Sequence, residues 1–69
     1  MDIRKLVGLN LARLRNARGL KQEQLAEITG LTQSYLSQIE TGQVNLTLLR
    51  LHDLVEGLNV EPGEFFKKP

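Results

Sequence analysis

Gln22-Glu23-Gln24-Leu25-Ala26-Glu27-Ile28-Thr29-Gly30-Leu31-Thr32-Gln33-Ser34-Tyr35-Leu36-Ser37-Gln38-Ile39-Glu40-Thr41-Gly42 decides the fold. It holds two short segments of helical apolar spacing with a tight break between them. Leu25, Ala26 and Ile28 fall on one side of the first segment. Tyr35, Leu36 and Ile39 do the same in the second. Gly30 suits the left-handed residue that ends a helix, and Thr32 suits the N-cap that starts the next. Leu31, apolar in a turn, is expected between the two helices. The pattern is a helix-turn-helix.

The outer face of the second segment is unusual. Ser34, Ser37 and Gln38 share it at i, i+3 and i+4, and Gln33 joins it more loosely. None carries charge. A merely solvated face would be expected to carry charged side chains, whereas a glutamine amide can pair bidentately with the adenine edge in a major groove.

These residues resemble the lambda-repressor-like helix-turn-helix domains, the Cro and phage-repressor type also called XRE. The resemblance rests on Gln22, Leu25-Ala26, Gly30, Leu31, Thr32 and Leu36-Ser37-Gln38-Ile39-Glu40-Thr41-Gly42. Arg13-Leu14-Arg15 and Gly19-Leu20 match the end of that family's first helix. Leu48, Leu51, Leu54, Leu58 and Val60 match its fourth helix and exit. The resemblance implies an all-α fold of five short helices in a single domain over residues 1–69. It implies a transcriptional regulator that binds double-stranded DNA as a homodimer on an inverted repeat. Base reading falls on Gln33, Ser34 and Gln38, with Ser37 beside them.

Outward from the motif, Ile3, Leu6, Val7, Leu11 and Leu14 place a first helix over about 3–18, capped by Asp2. Gly8 inside it has no reason in the sequence beyond close packing. Arg15 has two readings: a phosphate contact, or an ion pair with Glu40, which the resemblance implies. The second helix is expected over Gln22–Thr29 with Lys21 at its N-cap, where the family usually has Ser, Thr or Asn. Lysine cannot accept from the free N–H groups, and its charge opposes the helix dipole. A docked phosphate would satisfy both, so Lys21 and Gln22 are read as backbone contacts, as the resemblance also implies for Gln22; a poor cap facing water is the alternative. The third helix is expected over about Gln33–Thr41.

Thr32 and Tyr35 can offer hydroxyls to phosphate, although Tyr35 can equally pack against the second helix. Thr41, Gln43 and Asn45 are either phosphate contacts or ordinary turn residues. Arg13 and Arg18 would add non-specific attraction. Thr47 caps a fourth helix through Leu58, and Asn59 suits its left-handed end. Pro62 to Phe66 reads as a last helical turn. Val60, Phe65 and Phe66 concentrate apolar surface there. One phenylalanine is expected in the core; the resemblance implies that the group makes the dimer contact, and core packing of both rings is the alternative.

Six basic side chains against Asp2 give residues 1–21 a net +5. Three against seven acids give residues 22–69 a net −4. A positive end facing phosphate suits a DNA binder, and a mixed soluble surface explains the same numbers. With no cysteine and a single histidine, His52, neither disulfide nor metal site is expected, and no cofactor. No apolar run spans a bilayer and no signal-like N-terminus is seen. A cytoplasmic protein with no membrane partner is expected, with no small-molecule effector within this chain. No nucleophile has a candidate base and no carboxylates pair in an apolar setting, so an enzyme is not expected. A protein-interaction module on the same fold, of antitoxin or coactivator-like kind, is the alternative that the low net charge permits.

Overall fold

The computed structural model describes Met1–Pro69. Four α-helices and one 3₁₀ segment follow in order: α1 Ile3–Ala17, α2 Gln22–Thr29, α3 Gln33–Glu40, α4 Leu48–Leu58 and the C-terminal 3₁₀ turn Pro62–Phe66. The fold is all-α as expected. The fifth element is a 3₁₀ turn, so the α-helices number four. Helices α1 and α3 each end one residue earlier than the periodicity suggests, with Arg18 and Thr41 as C-caps.

Local chemistry sets these bounds. Asp2 Oδ1 accepts from the Arg4 N–H at 2.9 Å, Thr32 Oγ1 from Tyr35 N–H at 3.0 Å, and Thr47 Oγ1 from Arg50 N–H at 3.2 Å. Each satisfies one of the donors a helix leaves open at its start. Helix α2 closes on Gly30 at φ 76° and α4 on Asn59 at φ 54°, both left-handed. Such a backbone suits glycine, and asparagine tolerates it.

The core is Val7, Leu11, Leu14, Leu25, Leu36, Ile39, Leu54, Leu58 and Phe65. Burying each such side chain contributes roughly 1.5–3 kcal/mol. Helix α1 packs on α3 and the 3₁₀ turn, while α2 packs on α3 and α4.

The apolar stripes run past the core they serve. Ile3, Ile28 and Leu48, expected inside from their spacing, remain exposed at 53%, 54% and 83%. Phe65 is wholly buried, so the expectation that it contacts a partner is corrected: its ring is already spent on the core. Val60 is half-buried against that core, and Phe66 remains outside.

Two close approaches hold the elements together. At Gly8, α1 crosses the C-terminal end of α3. A Cβ there would fall on the Ile39 carbonyl oxygen and lie 2.8 Å from that of Glu40. Asn10 is the one buried polar side chain. Its amide nitrogen shares its two hydrogens among the carbonyls of Phe65 at 2.9 Å, Lys67 at 2.8 Å and Leu6 at 3.1 Å. Its oxygen accepts from Arg13 Nε at 3.2 Å. A buried amide so fully engaged pins the chain end to α1 without leaving an unmet polar group. No helix is long and apolar enough to cross a membrane.

Candidate nucleic-acid interface

Helix α3 presents two faces. Leu36 and Ile39 point into the core, which fixes the helix's rotation. Gln33, Ser34 and Gln38 lie on the exposed side, and Ser37 is half-buried at its edge. The result is an uncharged amide and hydroxyl surface on a short helix clamped from behind. Such a surface can donate to and accept from base edges without a charge to desolvate.

The back of α3 is held through Glu40. Arg15 Nε reaches Glu40 Oε2 at 2.6 Å and Arg15 Nη2 reaches Oε1 at 3.1 Å, a bidentate pair with side chains only 14% and 9% exposed. Arg15 Nη1 also donates to the Leu20 carbonyl at 2.7 Å. The hydrogen bond to Glu40 holds the Arg15 guanidinium above its ordinary pKa, against the opposing effect of burial. The ion-pair reading of Arg15 is therefore the geometry found. Gln22 Nε2 joins the same carboxylate at 3.2 Å. One carboxylate thus gathers α1, α2 and α3, and places the N-terminus of α2 beside the C-terminus of α3.

Lys21 at the α2 N-cap is exposed and supplies no cap. Gln24 Oε1 accepts from the Lys21 N–H at 2.8 Å, which is half of a capping box. Lysine has no acceptor, so the other half is missing. The first N–H groups of α2, on Gln22 and Glu23, have no acceptor inside the helix. A cationic side chain and two open donors converge there.

The other expected contacts divide. Thr32 accepts with its hydroxyl oxygen and keeps its own hydrogen for a further partner. The Tyr35 ring packs against the core edge. Thr41 gives its hydroxyl hydrogen to the Ser37 carbonyl at 3.0 Å, which leaves it only an acceptor. Gln43 is exposed just past α3, and Asn45 sits instead on the rim of a groove between α1 and α4. Arg18 is exposed at the end of α1. Arg13 lies elsewhere: its Nη2 donates to the Glu64 carbonyl at 2.9 Å and meets the Glu64 carboxylate at 3.4 Å. That carboxylate is held below its ordinary range first by Lys67 and then by Arg13. Arg13 thus supports the 3₁₀ turn.

The sequence reading missed Asn10 and the groove. Asn10 carried no local signal, because its partners lie 55 and 57 residues away. The groove, about 260 Å³, is lined by Ile3, Val7, Leu46, Leu48, Leu51 and Phe66 among others. The over-long stripes of α1 and α4 were the signal for it.

Residues 11–65 match a family model described as helix-turn-helix. A Sinorhizobium fredii (strain NBRC 101917 / NGR234) protein, named as uncharacterized HTH-type transcriptional regulator y4dJ, is 48% identical over 64 residues, covering 93% of this chain and 83% of its own. The control protein C.SmaI of Serratia marcescens is 42% identical over 59 residues, covering 86% of this chain and 70% of its own. Among solved structures, the restriction-modification controller protein C.AhdI from Aeromonas hydrophila superposes with a TM-score of 0.88 at 41% identity, covering 91% of this chain and 96% of that one.

Proposed function

The chain belongs to the XRE-type helix-turn-helix family of transcriptional regulators, and from that premise we propose that it binds double-stranded DNA sequence-specifically as a homodimer on an inverted repeat. The observation that carries this reading is the α3 surface: Gln33, Ser34 and Gln38 exposed and uncharged on a helix whose other side is locked into the core. Helix α3 enters the major groove. Gln33, Ser34 and Gln38 read base edges, with Ser37 at the margin. Lys21, Gln22 and the open α2 N–H groups take one phosphate. Thr32, Tyr35 and Gln43 add backbone contacts, and Arg18 adds general attraction. A restriction–modification control circuit is the setting that the likeness to C.AhdI supports.

The base-reading assignment is tested by selecting duplexes from a random pool at about 0.15 M salt. The wild type is expected to enrich an inverted repeat with half-sites about 34 Å apart. Gln33→Ala and Gln38→Ala are each expected to relax one position per half-site, a loss of roughly 1–3 kcal/mol in discrimination. Lys21→Ala is expected to weaken all sequences alike and flatten the salt dependence. A uniform loss from both glutamine variants would remove the assignment. No enrichment by folded wild type would favour the protein-interaction module.

The dimer face proposed here is the groove side, built by Leu48, Ile3 and Phe66. Leu48 is 83% exposed at the start of α4, Ile3 is 53% and Phe66 45% exposed, and all three line the one groove. A contiguous apolar patch of this kind marks an interaction site more often than scattered single residues do. Leu48→Glu is expected to yield a folded monomer in analytical ultracentrifugation and to lower operator affinity at least tenfold. A dimer that survives the charge would move the interface elsewhere.

A further inference from the structure

We propose that Arg50 is a second cationic grip on the DNA backbone, placed at the N-terminal end of α3, an inference that rests on the DNA-binding reading above. From Gln22 to Phe66 the chain has one lysine or arginine, and it is Arg50. The two ends of α3 are furnished differently. Its C-terminal end adjoins Lys21 through the Gln22–Glu40 contact. Its N-terminal end adjoins the start of α4, where Thr32, Tyr35, Thr47 and Arg50 line one open cleft with Gly30 and Leu31.

A helix lying in the major groove is bordered by both DNA strands, and phosphate contacts on both sides set its register. At the Lys21 end the strand meets a cation and open helix donors. At the other end it meets the hydroxyls of Thr32 and Tyr35, and Arg50 supplies the only fixed positive charge. The same corner is the N-terminus of α4, whose first N–H groups and positive dipole end also favour an anion.

Arg50 is free to serve. Its side chain is 55% exposed, and its one partner is the Asp53 carboxylate at 3.2 Å, a single contact one turn along the same helix. A pair that exposed is weakly held and yields to a phosphate that can be bound bidentately. Asp53 and Glu56 are the acids of α4, and Asp53, one turn from Arg50, competes for the guanidinium. The charge of this corner in the free protein is thereby muted, and the net charge of residues 22–69, summed over seven acids, does not reveal a single local cation.

The test measures affinity of the full chain for its selected operator duplex across a salt series. Arg50→Gln is expected to reduce the salt slope by about one and the affinity about fivefold at 0.15 M salt, with base preference unchanged. Lys68→Gln, which removes the same charge from the exposed tail, is expected to change neither. Asp53→Asn is expected to tighten binding, and to lose that effect when Arg50 is already glutamine. Thermal melts of each variant confirm folding. If Arg50→Gln matches the wild type, or if Lys68→Gln reproduces its effect, the grip is overturned and the reading above stands. If the wild type binds no duplex, both fall together.

Discussion

Gly8→Ala is expected to destabilise the domain by roughly 2–3 kcal/mol, at the upper end of what overpacking a tight site costs. Helix propensity alone points the other way, since alanine is favoured over glycine inside a helix by up to about 1 kcal/mol. The geometry decides between them. The added methyl would meet the carbonyl oxygens of Ile39 and Glu40, which are backbone and cannot rotate aside. The Ile39 carbonyl also accepts from the Gly42 N–H at 3.0 Å, so pushing it away disturbs the turn that closes α3. Gly57→Ala provides the comparison. Its Cβ would meet the Thr29 Cγ2 methyl at 2.6 Å, a side-chain atom that can give way if the Thr29 hydroxyl releases the Leu25 carbonyl. With a urea m-value near 1 kcal/mol per M, Gly8→Ala should lower the unfolding midpoint by about 2–3 M and Gly57→Ala by clearly less. A midpoint unchanged or raised in Gly8→Ala would mean that the α1–α3 crossing is not tight.

Arg15→Ala is expected to cost about 3 kcal/mol, and Glu40→Ala somewhat less. Breaking a fully buried ion pair from one side costs roughly 3–5 kcal/mol because the remaining charge is left in a poor environment, and this largely covered pair falls at the low end of that range. Here the two survivors differ. Without Glu40, the arginine keeps the Leu20 carbonyl and Asn16 Oδ1 and is the more exposed partner. Without Arg15, the carboxylate keeps only the Gln22 amide at 3.2 Å. The double variant should lose less than the two single losses together, since removing both leaves no orphan charge. Additive losses in urea melts would show that each residue acts through separate contacts. Glu40→Ala also releases Gln22, so operator affinity should fall beyond the loss that stability explains.

Most of the frame was legible because it is locally encoded. Gly30, Thr32, Thr47 and Asn59 carry cap and turn chemistry within four residues of where it acts, and the structure places each in that role. Helix α2 was expected over Gln22–Thr29 and is found there. What could not be read depends on contacts between distant segments. Gly8 answers to Ile39 and Glu40, Asn10 to Phe65 and Lys67, and Arg13 to Glu64. Periodicity named Phe65 and Phe66 alike as apolar, yet which one enters the core follows from the phase of the 3₁₀ turn. It also placed Ile3 and Leu48 inside, because a stripe records apolar spacing and not whether a facing element exists. Arg15 with Glu40 was within reach only through the resemblance.

The separation between the two sides of α3 has an evolutionary consequence. Everything that locks the helix in place acts on Leu36, Ile39, Glu40 and the backbone carbonyls behind them. Gln33, Ser34 and Gln38 take no part in that lock, and exposed positions of this kind usually tolerate exchange within about 0.5 kcal/mol. If these three side chains read the operator as proposed, its preference can drift without a folding crisis at each step. On that proposal, sister copies of such a gene can come to address different promoters in one cell, insulated from each other by three side chains on a shared scaffold.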